Sequence, residues 1–358
     1  MQGGGAERVF INLAKILSGR GLSVELVVGN SEGELIKQIE DVNLIDLRSS
    51  SVVRSIIPLY RHLRKSKPDV LMSAMPHANL AAIISAVLSG KKCKVISTVH
   101  ENVFFALQHI SLYEKFILYI LKVGYLFSDG FVAVSSGLLK SYESFQGKSL
   151  PEIRKFIYNP IIKEIDSPGL NVVKPKSPNE TFRIVSAGRL SFEKNFSLLI
   201  NAFSLLDDKR NITLTIYGEG PERTALEDLI GRLELQEHVC LPGYVHNLNE
   251  KFSESDLFVM TSIWEGFGNV LVEAMAAGCK VVSTDCESGP REILGGGKYG
   301  ELVPVNDPIA LTNAIKKEMN RPGNSYSRKE MLSPFTFENI GNQYISLFSE
   351  VVNSKTKS

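Results

Sequence analysis

The chain has 358 residues, of which 44% are hydrophobic and 22% charged, and its formal net charge is +1. This balance is typical of a soluble globular protein, and the length favours two domains over one. A membrane-spanning helix is excluded, because no segment reaches the ~20 consecutive apolar residues that a bilayer requires. No secretory signal pattern is visible, so we expect a cytoplasmic protein.

The charges are unevenly distributed along the chain. Residues 1–165 carry 20 Lys and Arg against 14 Asp and Glu, whereas residues 166–358 carry 20 against 25. The basic first half predicts contact with an anionic partner, and chance asymmetry is the alternative. Nothing in the pattern indicates a nucleic acid as that partner.

The cysteines bear on redox chemistry and metal binding. They are Cys93, Cys240, Cys279 and Cys286, and no two of them form a Cys-x-x-Cys pair. Because three lie in or beside apolar runs, we predict reduced core residues rather than disulfides or zinc ligands.

Strand-like apolar runs alternate with helix-like runs from end to end, which predicts βα units and parallel sheets. The predicted strands are 23–28, 69–73, 94–99, 130–134 and 155–158 in the first half, and 182–187, 212–217, 238–241, 256–261, 280–283 and 300–303 in the second. The segment 166–179 contains three prolines, so the domain boundary is placed there. We expect two doubly wound α/β domains facing a cleft, with the ligand at the carboxyl ends of the strands.

The glycines at the start of the chain resemble a dinucleotide-binding loop only in part. In Gly3-Gly4-Gly5-Ala6-Glu7-Arg8, the arginine occupies the last glycine position of the Gly-x-Gly-x-x-Gly pattern. Asn30 stands near the place where an acidic residue should end the next strand. A nicotinamide-binding function is therefore disfavoured.

The most informative segment is 264–278, which contains Glu265 and Glu273 eight positions apart. Glu265 precedes a glycine-rich turn, and Glu273 lies two turns into a predicted helix that ends at Gly278. Backbone N–H groups at a helix N-terminus favour phosphate, and carboxylates suit hydroxyl groups. Such a segment can bind a sugar, a diphosphate and a ribose that are arranged in a row.

This segment resembles the donor-binding half of retaining glycosyltransferases of family 4, which have the GT-B architecture of two Rossmann-like domains. The family signature, two glutamates separated by seven residues, is matched at Glu265 and Glu273. Other matching stretches are 3–9, 186–190 with 194–195, 216–222 and 241–244.

The resemblance implies a role for each matching side chain. Arg189 and Lys194 clamp the diphosphate, the arginine as a fork and the lysine as a point charge, and stabilise the charge of the leaving group. Glu265 contacts the transferred sugar, and Glu273 binds the ribose hydroxyls. His100, after the predicted strand 94–99, lies near the reactive sugar; a purely structural histidine is the alternative.

The predicted catalytic residues are thus His100, Arg189, Lys194 and Glu265. The remaining donor-binding residues implied by the resemblance are Gly4, Gly5, Gly188, Gly218, Tyr244, Val245, Gly266, Phe267, Gly268, Asn269 and Val270. No Asp-x-Asp pattern occurs, so we expect transfer without a metal ion or other cofactor.

The start of the chain departs from the family pattern. In the family a strand precedes the first glycine loop, whereas here the loop begins at residue 3. We expect a truncated or misassigned start, and a less stable N-terminal half if the protein is made as written. The resemblance predicts an acceptor domain of residues 1–166, joined by the final helix 336–358, and a donor domain of residues 176–335.

Two segments indicate contact with an anionic membrane or a polyprenyl diphosphate. A basic amphipathic helix is predicted over 51–67, with a solvated helix face as the alternative. The segment 104–127 is either buried core or a membrane-facing ridge. Its apolar residues include Phe105, Leu107, Ile110, Leu112, Phe116, Ile117, Tyr119 and Ile120.

The resemblance predicts a retaining glycosyltransferase that moves a sugar from a nucleoside diphosphate to a saccharide or lipid-linked saccharide by front-face displacement. The segment 288–293 resembles members that build bacterial surface polysaccharides on lipid carriers, many of which use UDP-activated N-acetylhexosamines. A peripheral location on the inner face of the cell membrane fits this function. The alternatives are a nucleotide-sugar epimerase, a sugar phosphorylase and a non-catalytic partner protein of the same fold.

Overall fold

A computed structural model of the chain describes residues 5–31, 39, 42–102, 112–165, 180–321 and 327–354, without the side chains of residues 113 and 114. The chain divides into two compact units. Unit 1 comprises Met1–Lys163 and Phe335–Ser358, and unit 2 comprises Glu164–Pro334. The predictions that concern Gly3, Gly4, the boundary 166–179 and residues 104–111, including Phe105, Leu107 and Ile110, lie outside the described residues.

Unit 1 is built from parallel strands with intervening helices. Its elements are α1 (Gly5–Ser18), β1 (Glu25–Val28), β2 (Asn43–Asp46), α2 (Val52–Ser66), β3 (Val70–Ala74), α3 (Pro76–Leu88), β4 (Lys94–Val99), α4 (Leu112–Gly124), β5 (Gly130–Ala133), α5 (Ser136–Gln146) and β6 (Ile153–Phe156). Strands β1 and β2 form one parallel pair, and the order β3-β4-β5-β6 forms a second parallel sheet. Within the described residues, no ladder joins the two sheets.

Unit 2 contains a single parallel sheet of six strands. Its elements are β7 (Phe182–Ala187), α6 (Phe196–Ser204), β8 (Ile212–Tyr217), α7 (Arg223–Arg232), β9 (Val239–Gly243), α8 (Leu248–Ser253), β10 (Leu257–Met260), α9 (Asn269–Ala277), β11 (Lys280–Thr284), α10 (Pro290–Ile293), β12 (Glu301–Val303), α11 (Pro308–Asn320) and α12 (Arg328–Leu332). The strand order is β12-β11-β10-β7-β8-β9. Its central strands are buried on both faces, as expected of a parallel sheet covered by helices.

The last helix, α13 (Phe337–Asn353), belongs to the core of unit 1. Thr336 caps it by accepting a hydrogen bond from the backbone N–H of Asn339 at 3.2 Å. The side chains that recur at helical spacing on its inner face are buried: Ile340, Tyr344, Leu347 and Val351. They pack with Leu13 and Leu17 of α1 and with Ile96 of β4. The final helix thus stabilises unit 1 through an amphipathic face.

The described elements confirm the predicted α/β fold class with parallel sheets. The predicted strands 94–99, 182–187 and 212–217 have the observed bounds of β4, β7 and β8. Strand β2 was not predicted, because Asn43–Asp46 is polar at both ends and only half-buried. The predicted basic helix over 51–67 is α2, and Ser51 caps it by accepting from the Arg54 N–H at 3.4 Å.

Two predictions are wrong in detail. Gly5 does not lie in a loop, because it is the first residue of α1. Cys240 is not a core residue but is exposed, because it lies on β9 at the edge of the sheet, where buried and exposed residues alternate. The other three cysteines are free and buried as predicted. Within the described residues, no helix is both long enough and apolar enough to cross a bilayer.

Candidate functional site

The order of strands in unit 2 places a site between β7 and β10. These strands are neighbours, with Leu257 opposite Ile184 and Phe258 opposite Val185. The chain proceeds from β7 outward to β8 and β9, and from β10 outward to β11 and β12 on the other side. Connections that diverge in this way leave an open crevice at the carboxyl ends of the two central strands.

Side chain and backbone hydrogen bonds fix the loops that follow β7 and β10 against each other. The Ile263 N–H donates to the Glu193 carbonyl at 2.8 Å. The Thr261 hydroxyl donates to the Lys194 carbonyl at 2.9 Å. Two loops that are distant in sequence therefore present their side chains at fixed positions.

Lys194 and Glu265 meet at this place. The Lys194 Nζ lies 2.5 Å from Glu265 Oε1, and the two side chains are 23% and 11% exposed. Burial alone would lower the pKa of Lys194, but the adjacent Glu265 carboxylate outweighs burial and raises this pKa above its usual value. The ammonium is therefore fully charged at neutral pH and oriented by its partner.

Ser262 holds the glutamate from the opposite side. Its hydroxyl donates to the same Glu265 Oε1 at 2.7 Å, and the residue is 1% exposed. The Ser262 carbonyl in turn accepts from the Thr284 hydroxyl, at the end of β11, at 2.6 Å. Our sequence reasoning missed Ser262, although its place two residues after β10 and three residues before Glu265 was the available signal.

Arg189 belongs to the same loop as Lys194 but behaves differently. It follows Gly188 at the end of β7 and is exposed. Within the described residues its side chain forms no hydrogen bond or ion pair with Lys194 or Glu265. The structure thus brings Lys194 and Glu265 together and leaves Arg189 extended towards solvent.

The predicted glycine-rich turn leads directly into α9. Gly266, Phe267 and Gly268 are buried, and Gly268 has φ +101°. Only glycine adopts this conformation without strain. The N-cap residue Gly268 has no side chain that could cap α9, and the positive end of the helix dipole lies at the first turn that follows it. Asn269 and Val270 open the helix and are half-buried.

Glu273 lies on the second turn of α9 and is half-buried. It is thus on the same element as the phosphate-favouring helix end and one turn beyond it. The helix ends at Gly278, which has φ +95° and donates its N–H to the last turn. This left-handed terminus is the one that the sequence predicted.

Backbone hydrogen bonds of glycines join the neighbouring ends of β7, β8 and β9. The Gly188 N–H donates to the Tyr217 carbonyl and the Gly218 N–H to the Gly243 carbonyl, each at 2.9 Å. A Cβ added to Gly218 would lie 1.8 Å from the Gly188 carbonyl oxygen. Close packing of backbones therefore accounts for glycine at position 218, whether or not it touches a ligand.

Aromatic and apolar side chains border this edge of the sheet. Tyr244 follows β9, is 57% exposed and stands edge-on to His246, with ring centroids 5.2 Å apart. Val245, next to it, is half-buried. The ring centroids of Phe192 and Trp264 lie 6.1 Å apart, and these residues shortly precede Lys194 and Glu265 in the sequence. Sequence reasoning did not assign Phe192 a role.

His100 lies at the end of β4 in unit 1, and Thr98 fixes its ring. The Thr98 hydroxyl donates its only hydrogen to the Ser73 carbonyl at 2.8 Å. The His100 Nε2 lies 3.3 Å from the same hydroxyl oxygen, so Nε2 must donate to it. The Nδ1 atom is then the acceptor nitrogen of the ring.

Burial lowers the pKa of His100 to about 4. The imidazole is therefore neutral at physiological pH, and it can accept a hydrogen bond but not carry a positive charge. The residues beneath it form a buried polar cluster, in which Asn79 accepts from the Ser73 hydroxyl at 2.8 Å and donates to the Thr98 carbonyl at 2.9 Å. This cluster holds β3 and β4 in place under the ring.

Family models match both halves of the chain. Residues 3–162 match the model "Glycosyltransferase Family 4", and residues 171–331 match "Glycosyl transferases group 1". A relative from Campylobacter jejuni is 29% identical over 94% of this chain and 93% of its own length. It is the N-acetylgalactosamine-N,N'-diacetylbacillosaminyl-diphospho-undecaprenol 4-alpha-N-acetylgalactosaminyltransferase. The lipopolysaccharide core biosynthesis glycosyltransferase LpsE of Rhizobium meliloti is 27% identical over 88% of this chain and 85% of its own length.

Solved structures show the same fold. HepE of Anabaena in complex with UDP-glucose superimposes with a TM-score of 0.79 at 20% identity, covering 98% of this chain and 97% of that chain. A sucrose-phosphate synthase from Thermosynechococcus elongatus superimposes with a TM-score of 0.78 at 18% identity, covering 97% and 94%. At these identities the likeness concerns the fold, and it confirms two Rossmann-like domains of the GT-B type.

Proposed function

Because the chain belongs to the family 4 glycosyltransferases with the GT-B fold, we propose that it is a retaining enzyme of bacterial surface polysaccharide synthesis. It transfers a hexose or N-acetylhexosamine from a UDP-linked donor to a hydroxyl of a saccharide carried on a polyprenyl diphosphate. The observation that carries this proposal is the Lys194–Glu265 ion pair, which lies in the loops after two central strands and near the glycine-led start of α9.

The donor is bound by a row of groups in unit 2. Its diphosphate lies against the N–H groups of Gly268, Asn269 and Val270 at the start of α9, where the helix dipole favours negative charge. The Lys194 ammonium and the exposed Arg189 guanidinium neutralise the phosphates. Glu265 accepts hydrogen bonds from hydroxyls of the transferred sugar. Gly266 and Phe267, in the turn that follows, also contact the donor.

The nucleoside is bound farther along the same edge. Glu273 accepts from the ribose hydroxyls, since it lies one turn beyond the phosphate end of α9. Tyr244 and Val245, after β9, contact the base, together with the turn at Gly188 and Gly218. The support for UDP is that the Anabaena relative of the same fold binds UDP-glucose.

The reaction follows from where charge develops. The bond between the anomeric carbon and the diphosphate oxygen breaks, while the acceptor oxygen forms its bond to the same face of that carbon. The acceptor proton passes to the departing diphosphate. Lys194, Arg189 and the start of α9 stabilise the growing negative charge, so that the reaction requires neither a metal ion nor a covalent intermediate.

His100 contributes to the reaction as a neutral hydrogen-bond acceptor. With Nε2 bound to Thr98, its Nδ1 accepts from a hydroxyl of the reacting sugars and thereby orients it. The polyprenyl acceptor is supported by the name of the Campylobacter jejuni relative, which acts on a diphospho-undecaprenol saccharide. Such an acceptor would hold the enzyme on the inner face of the cell membrane.

The test is donor binding followed by turnover. A panel of nucleotide sugars is screened for an increase in thermal stability, because a bound donor stabilises the folded state. Trp264, the only tryptophan of the chain, lies next to Glu265 and reports binding by its fluorescence. We expect UDP-sugars to bind and release of UDP to require an acceptor. Binding of no nucleotide sugar, or rates abolished by a metal chelator, would contradict the proposal.

A further inference from the structure

Helix α4 carries apolar side chains on two opposite faces. On its inner face Ile117, Leu118 and Leu121 are buried. Near its end it approaches α3, since a Cβ on Gly124 would lie 3.7 Å from Ile83 Cδ1. These residues already supply the contacts that hold the helix on unit 1. The apolar residues on the remaining faces are therefore not explained by the core.

A second apolar face of α4 is exposed. Its side chains are Leu112 (84% exposed), Phe116 (62%), Tyr119 (61%), Ile120 (38%) and Val123 (61%). Their spacing places them on one side of the helix, and we call them the α4 ridge. The next turn of chain extends it with Leu126 and Phe127, which are 52% and 42% exposed. Contiguous apolar surface of this kind marks a contact site.

Lysines lie beside the α4 ridge. Lys122 is exposed on the same helix. The Lys91 ammonium lies 5.2 Å from the centre of the Phe127 ring and therefore borders the apolar surface. The sequence from residue 52 to residue 127 contains 10 Lys and Arg but only 3 Asp and Glu. Helix α2 packs on α3, as α4 does, and it carries the exposed side chains of Arg61 and Arg64.

We propose that the α4 ridge is a docking surface for an anionic lipid bilayer. Apolar side chains that enter the acyl boundary, rimmed by lysines that reach the headgroups, match the chemistry of that interface. The exposed stripe from Leu112 to Val123 is on the order of 17 Å long, about half of a hydrocarbon core, so the helix lies along the surface. A second copy of the chain fits less well, because it would bring the same cations together.

This inference rests on the proposed function only for its purpose, which is to bring unit 1 to a lipid-linked acceptor. The binding itself needs neither donor nor acceptor. Failure to bind vesicles would therefore leave the sugar-transfer proposal standing, and failure of sugar transfer would leave vesicle binding measurable.

The experiment is flotation of the full chain with phosphatidylcholine vesicles that contain no phosphatidylglycerol or about a third of it. The wild type is expected to float with the anionic vesicles. The double variant Phe116→Gln with Tyr119→Gln should bind at least roughly tenfold more weakly, because two exposed apolar anchors are lost. Ile309→Gln, at a 66% exposed position of α11 in unit 2, is the matched control and should bind as the wild type does.

A charge variant separates the two contributions. Lys91→Gln with Lys122→Gln should weaken binding to anionic vesicles roughly tenfold and remove most of its salt dependence. Thermal unfolding at the wild-type midpoint verifies that each variant is folded. Unchanged flotation of the Phe116 and Tyr119 variant, or no binding by the wild type, overturns the proposal. A wild-type dimer that the same variant dissociates, without vesicle binding, overturns it in favour of contact between copies.

Discussion

In unit 2 six parallel strands form one continuous sheet, whereas in unit 1 the described strands are divided between a sheet of two and a sheet of four. The predicted site residues lie after strands of the larger sheets. Lys194 and Glu265 follow two adjacent central strands of the continuous sheet, and His100 follows β4 inside the sheet of four. The described part of the isolated pair, β1 with β2, carries none of them.

The comparison shows what a reactive side chain requires from the fold. Lys194 and Glu265 keep their geometry because neighbouring strands are hydrogen-bonded along their length and their loops are bonded to each other. His100 is supported in the same way by Thr98 and Ser73 on two paired strands. The candidate site residues thus lie where the backbone is fixed, either by paired strands on both sides or by a buried polar cluster.

The largest expected effect is on catalysis in unit 2. In the proposed mechanism Lys194 faces the leaving diphosphate, so Lys194→Ala removes that cation and also removes the ion-pair partner of the Glu265 carboxylate. We expect the rate of UDP release in the presence of acceptor to fall roughly 10²–10³-fold. Lys316→Ala, which removes a surface ion pair with Asp207, is the control and should retain the wild-type rate. A near-normal rate for Lys194→Ala would show that the pair only stabilises the fold.

The next effect concerns the stability of unit 2. Gly218→Ala would place a Cβ 1.8 Å from the Gly188 carbonyl oxygen at φ +142°. We expect the free energy of unfolding to decrease by about 2 kcal/mol or more, measured in urea with Trp264 fluorescence. Gly231→Ala is the matched control, because its Cβ would meet nothing closer than 3.8 Å within α7. That substitution should raise stability by about 0.5–1 kcal/mol. Equal effects of the two changes would refute the packing argument.

Hydrogen exchange tests the division of unit 1 directly. A pair of strands is marginal by itself, so the amides of β1 and β2 should exchange through local opening. Those of β7, β8 and β10 should exchange only when the whole of unit 2 unfolds. Mass spectrometry of exchanged peptides measures both groups in one sample. Protection of β1 equal to that of β7 would mean that the separate pair is as stable as the continuous sheet.

The smallest effect is the pH dependence of unit 1. Burial lowers the pKa of His100 from 6.5 to about 4, so the folded state binds fewer protons than the unfolded state between these values. The contribution of His100 to the free energy of unfolding is therefore greatest above about pH 6.5. It decreases as the pH falls and becomes constant below about pH 4. His100→Gln should therefore flatten the pH dependence of urea unfolding followed by circular dichroism. The exposed His246→Gln is the control, and an unchanged slope in His100→Gln would contradict the assignment.

Much of the fold was predictable because burial on both sides of a sheet requires continuous apolar runs. Strands β4, β7 and β8 are such runs and have their predicted bounds. Strand β2 escaped prediction, because Asn43–Asp46 lies in a pair of strands that buries little of it. Where a strand is half-exposed, the sequence pattern no longer separates it from a loop.

The candidate site could be predicted only at residues whose type and spacing match a family pattern. Glu265 and Lys194 were identified by a family resemblance, and the structure brings them into contact. Ser262 and Thr98 were not, because a serine or threonine near a strand end is common. The hydrogen bonds of Ser262 and Thr98 depend on distances across the sheet, and the amino-acid sequence does not give these distances. Hydrogen bonds between side chains and distant backbone groups are set by tertiary structure.

The exposed position of Cys240 has a practical consequence for labelling. Burial raises the pKa of the Cys93, Cys279 and Cys286 thiols, so these remain protonated and shielded from reagents. Cys240 lies on the open edge strand of unit 2. A maleimide dye or spin probe should therefore attach at one place without any engineered substitution. The attached probe and the lone indole of Trp264 then form a natural energy-transfer pair within unit 2.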